Sequence, residues 1–282
     1  MQKENTHADT TRHSGEGKPV RWYVFCGGSV LLKEPAAQGQ THSIPTGIDP
    51  PIPTKEWTFI QLLPDAADGT PRRAYTVDVP IHLDGHVFTG LRESYQRLPQ
   101  EDYLMAGKAS ELLYWDKGTQ YCGVCGAPMY RTGIISKQCT HCKKEIWPQV
   151  APAIIVRIRR QTAEGKEQIL MVHARNFRRS EMYGLVAGFV ETGETLEQCV
   201  EREVWEETRL HVKNIRYFAS QPWPYPSGIM IGFTADYAGG ELRVQEEELT
   251  QAAWFSADQM PEIPEKLSIA RMLVDDWLEN ML

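Results

Sequence analysis

Four cysteines fix the local geometry of one short segment in this 282-residue chain. They form two Cys-X-X-Cys pairs, Cys122/Cys125 and Cys139/Cys142, which are separated by 13 residues. Two such knuckles at this distance bring four thiolates to the corners of a tetrahedron, the arrangement of a closed structural zinc site. The sequence therefore predicts a zinc ribbon that binds one structural zinc ion per chain through these four cysteines.

Two other interpretations of the cysteine segment stay open. A catalytic zinc needs an open coordination position, and His141 lies inside the second knuckle, but four cysteines already complete the shell. A zinc ribbon can also read nucleic acid, although the net charge of −7 is opposite to the usual balance of such proteins. The remaining cysteines, Cys26 and Cys199, are interpreted as small buried hydrophobic residues.

Length and local composition predict the domain organisation. Residues 1–19 are polar without an apolar centre, which favours a disordered tail over a secretory signal. Residues 20–117 are predicted as a β-rich N-terminal domain, 118–147 as the zinc ribbon, and 148–282 as the largest domain. No apolar run approaches the roughly 18 residues that a membrane span requires, so we expect no membrane contact and a cytoplasmic location.

Periodicity and turn residues predict the main secondary structure. Helices are expected at 100–117, 195–208 and 264–281, the last of them amphipathic. Strands are expected at 22–25, 57–63, 74–79, 153–158, 169–174, 212–220, 229–237 and 252–255, and a Gly-flanked segment at 184–190 precedes the helix at 195–208.

Residues 188–210 carry the second strong constraint, because glutamates fall on the side of a helix that should be buried. Advanced by about 100° per residue from Leu196, the apolar residues share one face. Glu203 and Glu207 fall in the middle of that face, and Glu206 falls at its edge. Like charges one turn apart repel, and burying them without a partner is costly. A solvated surface helix is the plain alternative, but a divalent cation such as Mg²⁺ or Mn²⁺ resolves both costs.

This segment resembles the Nudix box, in which a glycine is followed at fixed spacing by glutamates, an arginine and a Glu-Glu pair. The matching positions are Gly188, Glu194, Arg202, Glu203, Val204, Glu206, Glu207 and Leu210. One position departs, since Arg209 stands where the family has a glycine that ends the helix with a positive φ. The resemblance implies that Glu203, Glu206 and Glu207 hold catalytic metal ions, with the backbone carbonyl of Ala187 as an additional ligand.

A second motif narrows the resemblance to a subfamily. In Ser220-Gln221-Pro222-Trp223-Pro224-Tyr225-Pro226, three prolines alternate with two aromatic residues to form a stiff wall. A rigid surface loop is the alternative, but the stretch is similar to the SQPWPFP signature of the NADH pyrophosphatases, with Tyr225 in place of Phe. A four-cysteine ribbon before the Nudix domain fits the same subfamily. Glu248, six residues before Trp254, matches its distant metal-binding carboxylate.

This subfamily resemblance implies a set of substrate-binding residues. Trp147 and Phe189 correspond to a pair that stacks on nicotinamide, and because the pair comes from different subunits, a homodimer is implied. Gly228 stands where the family has a serine, and Ala270 matches a backbone contact to substrate. The full set is Trp147, Phe189, Gln221, Pro222, Trp223, Pro224, Tyr225, Pro226, Ser227, Gly228 and Ala270.

The implied reaction is metal-dependent hydrolysis of the pyrophosphate bond of NAD(H) to nicotinamide mononucleotide and AMP, and NAD-capped RNA stays open as a further substrate. Two or three Mg²⁺ or Mn²⁺ ions on Glu203, Glu206, Glu207 and Glu248 would bind the phosphates and activate water. Glu206 or Glu248 would take the proton. The implied fold is α+β: a Nudix α/β/α sandwich preceded by a four-cysteine zinc ribbon and a β-rich N-terminal domain.

Two alternative functions stay open. One is a general Nudix hydrolase of ADP-ribose or dinucleoside polyphosphates. The other, from a different class, is a zinc-ribbon module that binds nucleotides or RNA without catalysis. Buried carboxylates on the helix speak against the second alternative, because a pure binding module has no use for them.

Overall fold

The structure, a computed structural model, describes residues 17–37, 39–55, 59–175 and 182–280. Most of the predicted tail, the start of the strand predicted at 57–63, and Met281 lie outside the described residues. The chain divides into two compact units. The first contains Met1–Gln149 with Pro224–Pro226, and the second contains Val150–Trp223 with Ser227–Leu282.

The first unit contains a six-stranded sheet in the order β4-β5-β1-β2-β6, with β3 paired to β1. Its central pair, β1 and β5, is parallel, and the other pairs are antiparallel. A 3-10 turn at Glu93–Gln96 and the helix α1, Gln100–Gly118, follow the sheet. The strands are β1 Val20–Cys26, β2 Ser29–Lys33, β3 Thr46–Gly47, β4 Gln61–Leu63, β5 Arg72–Thr76 and β6 His86–Gly90.

The core of this sheet follows from strand alternation. Val20, Trp22 and Val24, which are two residues apart and so share one face of β1, are buried in one cluster with Tyr75. On the other face, the hydroxyl of Tyr23 donates to Asp102 of α1 at 3.1 Å. Alternate residues of β1 therefore supply the sheet core and the contact to α1.

A three-stranded antiparallel sheet follows α1 and is attached to that helix by charge. Its strands are β7 Met129–Gly133, β8 Ser136–Cys139 and β9 Glu145–Ile146, in sequential order. Asp116 near the end of α1 accepts from Arg131 of β7 at 2.9 Å and pairs with the buried Lys137 of β8 at 2.8 Å. The buried Lys137 and the half-buried Arg131 therefore share one carboxylate, which attaches this small sheet to the end of α1.

The second unit contains a six-stranded mixed sheet in the order β13-β14-β10-β11-β15, with β12 paired to β10. Strand β10 pairs parallel with β14 and antiparallel with β11 and β12. The strands are β10 Ala151–Gln161, β11 Glu167–Ala174, β12 Val186–Phe189, β13 Leu210–Trp223, β14 Gly228–Gly240 and β15 Leu249–Phe255. The helices are α2 Leu196–Thr208 and α3 Ile269–Glu279, with a 3-10 turn at Ala257–Gln259.

The two faces of this sheet each bury one helix. On one face, Ile154 and Val156 of β10 lie in a core cluster with Val200 of α2. On the other, Ile155 lies in a cluster with Leu273 of α3. Since neighbouring residues of β10 point to opposite faces, a continuous apolar strand is required between two helices. The predicted α/β/α sandwich and the α+β fold class are confirmed.

Some predicted boundaries are wrong. The last helix begins at Ile269 rather than at 264, because the Ser268 side chain caps it by accepting from the N–H of Arg271. Strand β5 covers Arg72–Thr76 rather than 74–79. Cys199 is fully buried as predicted, but Cys26 is only half-buried at the end of β1. Among the described residues, every helix is too short or too polar to cross a membrane.

Candidate functional site

Helix α2 starts with a reciprocal cap that fixes its first turn. The Thr195 hydroxyl accepts from the N–H of Gln198 at 3.2 Å, and the Gln198 side chain accepts from the N–H of Thr195 at 2.8 Å. The helix ends at Arg209, which adopts a left-handed conformation with φ of 60°. That conformation is the one expected at a position where the Nudix box has glycine, and the Arg209 guanidinium lies 5.6 Å from the Trp205 ring centroid.

Two glutamates of α2 are buried, as the helical periodicity predicts. Glu203 is 8% exposed and Glu207 is 4% exposed, beside the fully buried Val200 and Val204. Glu206, which directly precedes Glu207, is exposed. One carboxylate oxygen of Glu207, Oε2, is buried without any hydrogen-bond donor. An unpaired buried carboxylate oxygen is costly, so this atom marks a place where a further positive group belongs.

Gly188 of β12 makes room for the first of these carboxylates. A Cβ added at Gly188 would lie 2.0 Å from both Cδ and Oε1 of Glu203, and 2.3 Å from Oε2. Any side chain here would therefore displace the carboxylate. The glycine at the start of the Nudix box is thus a steric requirement for the position of Glu203, and the neighbouring Ala187 carries the carbonyl predicted as a ligand.

Arg202 orients three carboxylates, one before α2 and two on it. Its guanidinium donates to Glu194 at 2.7 and 3.0 Å, to Glu203 at 2.8 Å and to Glu206 at 3.0 Å. It also donates to the carbonyl of Phe189 at 3.0 Å. Hydrogen bonds from Arg202 and from the N–H of Glu191 lower the pKa of Glu194 to about 2. Glu194 therefore stays ionised and holds Arg202 between the β12 end and α2.

Electrostatics group Glu248 with the glutamates of α2. Burial, reinforced by the negative charges of Glu203, Glu248 and Glu206, raises the pKa of Glu207 to about 8. Burial also raises the pKa of Glu203, against the opposing hydrogen bond from Arg202. Glu248 is exposed at the start of β15, where its carbonyl accepts from the N–H of Arg175 at 2.9 Å. The charges of Glu206 and Glu248 therefore act on both buried glutamates and disfavour their ionised forms.

These residues fit a divalent cation. Carboxylate oxygens are the ligands that Mg²⁺ and Mn²⁺ prefer. Arg202 does not bond to Oε2 of Glu207, so this buried oxygen has no positive partner. A cation would also remove the repulsion between Glu203 and Glu207, which lie one helical turn apart. The arrangement can hold such a cation near solvent, since Glu206 and Glu248 are exposed.

The four predicted zinc ligands also come together. The sulfur atoms of Cys122, Cys125, Cys139 and Cys142 all lie within 4.8 Å of one another, and all four cysteines are free of disulfides. Backbone N–H groups point at the sulfurs, for example from Val124 to Cys122 and from His141 to Cys139, both at 3.4 Å. This geometry favours thiolates and fits one tetrahedral metal ion.

The second knuckle contains a feature that the sequence did not reveal. Gly126, which follows the first knuckle, has a φ of 73°, and Lys143 occupies the equivalent position after the second knuckle with a φ of 63°. Both turns are therefore left-handed, although only the first has glycine. The spacing of the cysteines was sufficient to find the site, and the strained lysine was not predictable from it.

The predicted substrate residues differ in hydrogen bonding and in burial. The amide of Gln221 donates to the carbonyl of Leu267 at 2.6 Å and accepts from the N–H of Ile269 at 2.8 Å, so it fixes the start of α3. Ala270 lies buried in the first turn of that helix. Pro222 and Pro226 are exposed, whereas Trp223 and Ser227 are half-buried.

Gly228, which replaces a family serine, lies in a confined position. An added Cβ would lie 3.2 Å from the carbonyl oxygen of Ala151 and 3.3 Å from that of Trp223. A side chain here would require those neighbours to shift. The substitution therefore agrees with the local packing of this chain.

The two aromatic residues of the predicted nicotinamide clamp expose their rings. Phe189 is 65% exposed at the end of β12, where its carbonyl is held by Arg202. Trp147 is 49% exposed just after β9. Large exposed aromatic side chains are typical of binding surfaces.

Comparisons with known proteins identify the family of this chain. Residues 149–275 match the NUDIX domain model, and residues 19–115 match the NADH pyrophosphatase-like rudimentary NUDIX domain. The NAD-capped RNA hydrolase NudC of Mannheimia succiniciproducens is 43% identical over 203 residues, which cover 70% of this chain and 74% of that protein. The NudC of Pectobacterium atrosepticum is 45% identical over 175 residues, covering 62% of this chain and 65% of the relative, just under two thirds of its length.

Among solved structures, a NUDIX hydrolase from Nitrosomonas europaea is similar at 20% identity with a TM-score of 0.48, over 57% of this chain and 91% of that one. The domain matches and the relatives show the class of protein. The chain belongs to the Nudix hydrolase family, in the branch that carries an NADH pyrophosphatase-like N-terminal domain. The predicted family resemblance is confirmed, including its subfamily.

Proposed function

We propose that this chain hydrolyses the pyrophosphate bond of NAD(H), giving nicotinamide mononucleotide and AMP, and that it acts on NAD-capped RNA by the same chemistry. The observation that carries the proposal is the buried, unpartnered Oε2 of Glu207 beside the Glu203 carboxylate, which Gly188 accommodates. A divalent cation bound between them would offset the cost of burying this pair. The NADH pyrophosphatase-like domain and the name of the NudC relatives support NAD as the substrate class.

Glu203, Glu206, Glu207 and Glu248 would hold two or three Mg²⁺ or Mn²⁺ ions, with the Ala187 carbonyl as a further ligand. When bound, such ions supply charge neutralisation at the phosphates and a more acidic water. Arg202 orients Glu203 and Glu206 through hydrogen bonds of 2.8 and 3.0 Å. Glu206 and Glu248 are the exposed members of the set, so either can accept the proton from the attacking water.

The cysteine cluster is proposed to bind one zinc ion per chain without taking part in the reaction. Its four sulfurs leave no open coordination position for a substrate. We also propose the domain division 1–19, 20–117, 118–147 and 148–282. A cytoplasmic location remains part of the same proposal.

The exposed rings of Phe189 and Trp147 support the nicotinamide clamp. We propose that the chain forms a homodimer in which one protomer supplies Phe189 and its partner supplies the tryptophan. Pro222, Trp223, Pro226, Ser227, Gly228 and the backbone at Ala270 would complete the substrate site, while Gln221 would act through its hydrogen bonds to the start of α3.

The deciding experiment is product analysis with NADH, NAD⁺, ADP-ribose and NAD-capped RNA side by side, in the presence of Mg²⁺ or Mn²⁺. We expect nicotinamide mononucleotide and AMP from NAD⁺, reduced nicotinamide mononucleotide and AMP from NADH, and nicotinamide mononucleotide with 5′-phosphorylated RNA from the capped transcript. Glu201→Gln is the matched control, since Glu201 is exposed on the same helix outside the carboxylate set. Rapid cleavage of ADP-ribose with none of NADH would favour the general Nudix activity instead.

A further inference from the structure

The Pro–aromatic loop, residues 222–227, contains three residues that group with the first compact unit. Pro224–Pro226 belong to the first compact unit, whereas Trp223 and Ser227 belong to the second. The middle of the predicted substrate wall is therefore packed on residues that precede the zinc ribbon. Nothing in the Nudix box or in the Pro–aromatic signature assigns a role to those residues.

Tyr225 is held by a cluster of side chains in the first unit. Its hydroxyl lies 3.0 Å from the hydroxyl of Tyr103 on α1, and the Arg92 guanidinium lies 4.9 Å from its ring centroid. The Tyr95 ring packs edge-on against Tyr103 at 5.3 Å. Burial raises the pKa of both Tyr103 and Tyr225. Both phenols therefore stay protonated at neutral pH, and one donates to the other.

Pro224 is held by a second, steric feature of the same helix. It is buried, and a Cβ added at Gly107 of α1 would lie 3.0 Å from its Cγ. Gly107 sits in the interior of a 19-residue helix, where glycine is less favourable than alanine. Tyr103 and Gly107 are four residues apart, so they lie on the same face of α1 and contact consecutive residues of the loop.

We propose that Tyr103 and Gly107 are positioning residues for the substrate loop, and that Pro224 and Tyr225 anchor this loop while its flanking residues meet the substrate. The inference rests on the proposed function and deepens it. The phenol pair and the glycine–proline contact set where the loop lies, so substrate affinity depends on α1. Tyr225, which carries a hydroxyl where the subfamily signature has Phe, is the residue that makes the hydrogen bond available.

The hydroxyl pair is tested by Tyr103→Phe, Tyr225→Phe and the double variant. We expect each single change to raise KM for NADH three- to tenfold, with a smaller effect on kcat. The double variant should be no worse than the poorer single variant, because both remove the same hydrogen bond. The matched control is Tyr75→Phe, whose buried hydroxyl donates to the carbonyl of Ile52 at 2.7 Å in the same unit. This control should lose stability but keep KM within twofold.

The steric contact is tested by Gly107→Ala, with Gly118→Ala as control. Alanine favours the helix at both positions, but at Gly118 the added Cβ meets nothing within 4 Å beyond its own helix. We expect Gly107→Ala to raise KM for NADH without lowering the melting temperature. A rise in KM without a loss of stability separates positioning from a general weakening of the fold.

Hydrogen exchange without substrate makes the inference independent of the proposed activity. We expect faster amide exchange than in wild type for a peptide covering residues 221–228 in Tyr103→Phe and Gly107→Ala. In Tyr75→Phe and Gly118→Ala the exchange rate of this peptide should not change. Unchanged exchange in this peptide would overturn the inference, as would equal KM changes in variants and controls. If the wild-type chain does not cleave NADH, the proposed function fails while the exchange result still decides the role of Tyr103 and Gly107.

Discussion

The cysteine cluster and the carboxylate cluster (Glu203, Glu206, Glu207 and Glu248) are both candidate metal sites, yet their local hydrogen bonding is opposite. In the cysteine cluster, backbone N–H groups already point at the sulfurs of Cys122 and Cys139 from 3.4 Å. In the carboxylate cluster, Oε2 of Glu207 is buried with no donor, and neighbouring negative charges add to the raised pKa of that residue. The sulfurs of the cysteine cluster therefore accept hydrogen bonds from the backbone, whereas the buried oxygen of Glu207 accepts none.

This difference is the one we expect between a metal site that supports folding and a metal site that supports a reaction. Four sulfurs within 4.8 Å complete a tetrahedral shell and leave no position for a substrate. The carboxylate cluster extends from two buried glutamates to the exposed Glu206 and Glu248, so a cation held there remains open to solvent and to phosphates. We therefore expect loss of the first site to remove stability and loss of the second to remove activity.

The largest effect is expected from Cys139→Ala. Cys139 is fully buried, and a structural zinc site contributes folding free energy directly. We expect the zinc content to fall from one ion per chain toward none, with a stability loss of at least about 3 kcal/mol, or roughly 6–12 °C in melting temperature. Elemental analysis and thermal unfolding measure the two quantities. Cys26→Ala, outside the cluster, is the control, and normal stability with no zinc in Cys139→Ala would break the comparison.

The second effect concerns the carboxylate cluster. Glu207→Gln should keep the fold and lower kcat by about 10²-fold or more, since it removes a metal ligand. Steady-state kinetics at saturating Mg²⁺ measures this loss, with Glu201→Gln as the exposed control on the same helix. Near-normal turnover in Glu207→Gln would show that the reaction takes place elsewhere.

The same substitution should stabilise the protein when Mg²⁺ and Mn²⁺ are left out. In the fold, the pKa of Glu207 is raised from 4.5 to about 8, so between these values the unfolded chain ionises while the folded chain stays protonated. Stability that is present below pH 4.5 is therefore lost as the pH rises to about 8. Glutamine does not titrate, so Glu207→Gln should gain about 3 kcal/mol relative to wild type between pH 5.5 and pH 8.

Urea unfolding at the two pH values measures this gain. The divalent ions are omitted rather than chelated, so that zinc stays in the cysteine cluster. Added Mg²⁺ should then stabilise the wild-type protein more than the variant. If the difference in unfolding free energy between the two proteins does not change with pH, then Glu207 is not a group whose pKa is raised in the fold.

Local patterns in the sequence predicted that the four cysteines lie together and that Glu203 and Glu207 are buried. Cysteine spacing identified the four sulfurs, and the 3.6-residue period placed Glu203 and Glu207 on the buried face of α2. The left-handed end of this helix at Arg209 also followed from the family glycine. Each of these features depends on residues within about twenty positions of one another, where spacing alone determines geometry.

Features that depend on distant residues were not predicted. The amide of Gln221 bonds to Leu267 and Ile269, and Tyr225 bonds to Tyr103, which is 122 positions earlier. Strand β3 has two residues and exists only because β1 pairs with it. Strand β2 was missed although its signal was present, since the Gly27–Gly28 turn joins Cys26 to Ser29 and Gly27 has a φ of 57°.

The smallest expected effect tests whether the zinc ribbon is only structural. Trp147 follows directly on the ribbon strand β9, and its ring is 49% exposed. If it stacks on nicotinamide, Trp147→Ala should raise KM for NADH about tenfold, which corresponds to roughly 1.4 kcal/mol. ADP-ribose lacks the nicotinamide ring, so its KM should change much less.

The alternative is that Trp147 supports the ribbon, as Lys137 and Arg131 do through Asp116. A supporting residue would lower stability and affect both substrates equally, whereas a stacking residue would discriminate between them at unchanged zinc content. Trp147→Phe separates these roles further, because a smaller ring still stacks and should recover most of the affinity for NADH. Equal losses for NADH and ADP-ribose in Trp147→Ala would remove the clamp and leave the ribbon purely structural. A loss confined to NADH would mean that the zinc-ribbon segment, through Trp147, also contacts the substrate that the carboxylates bind.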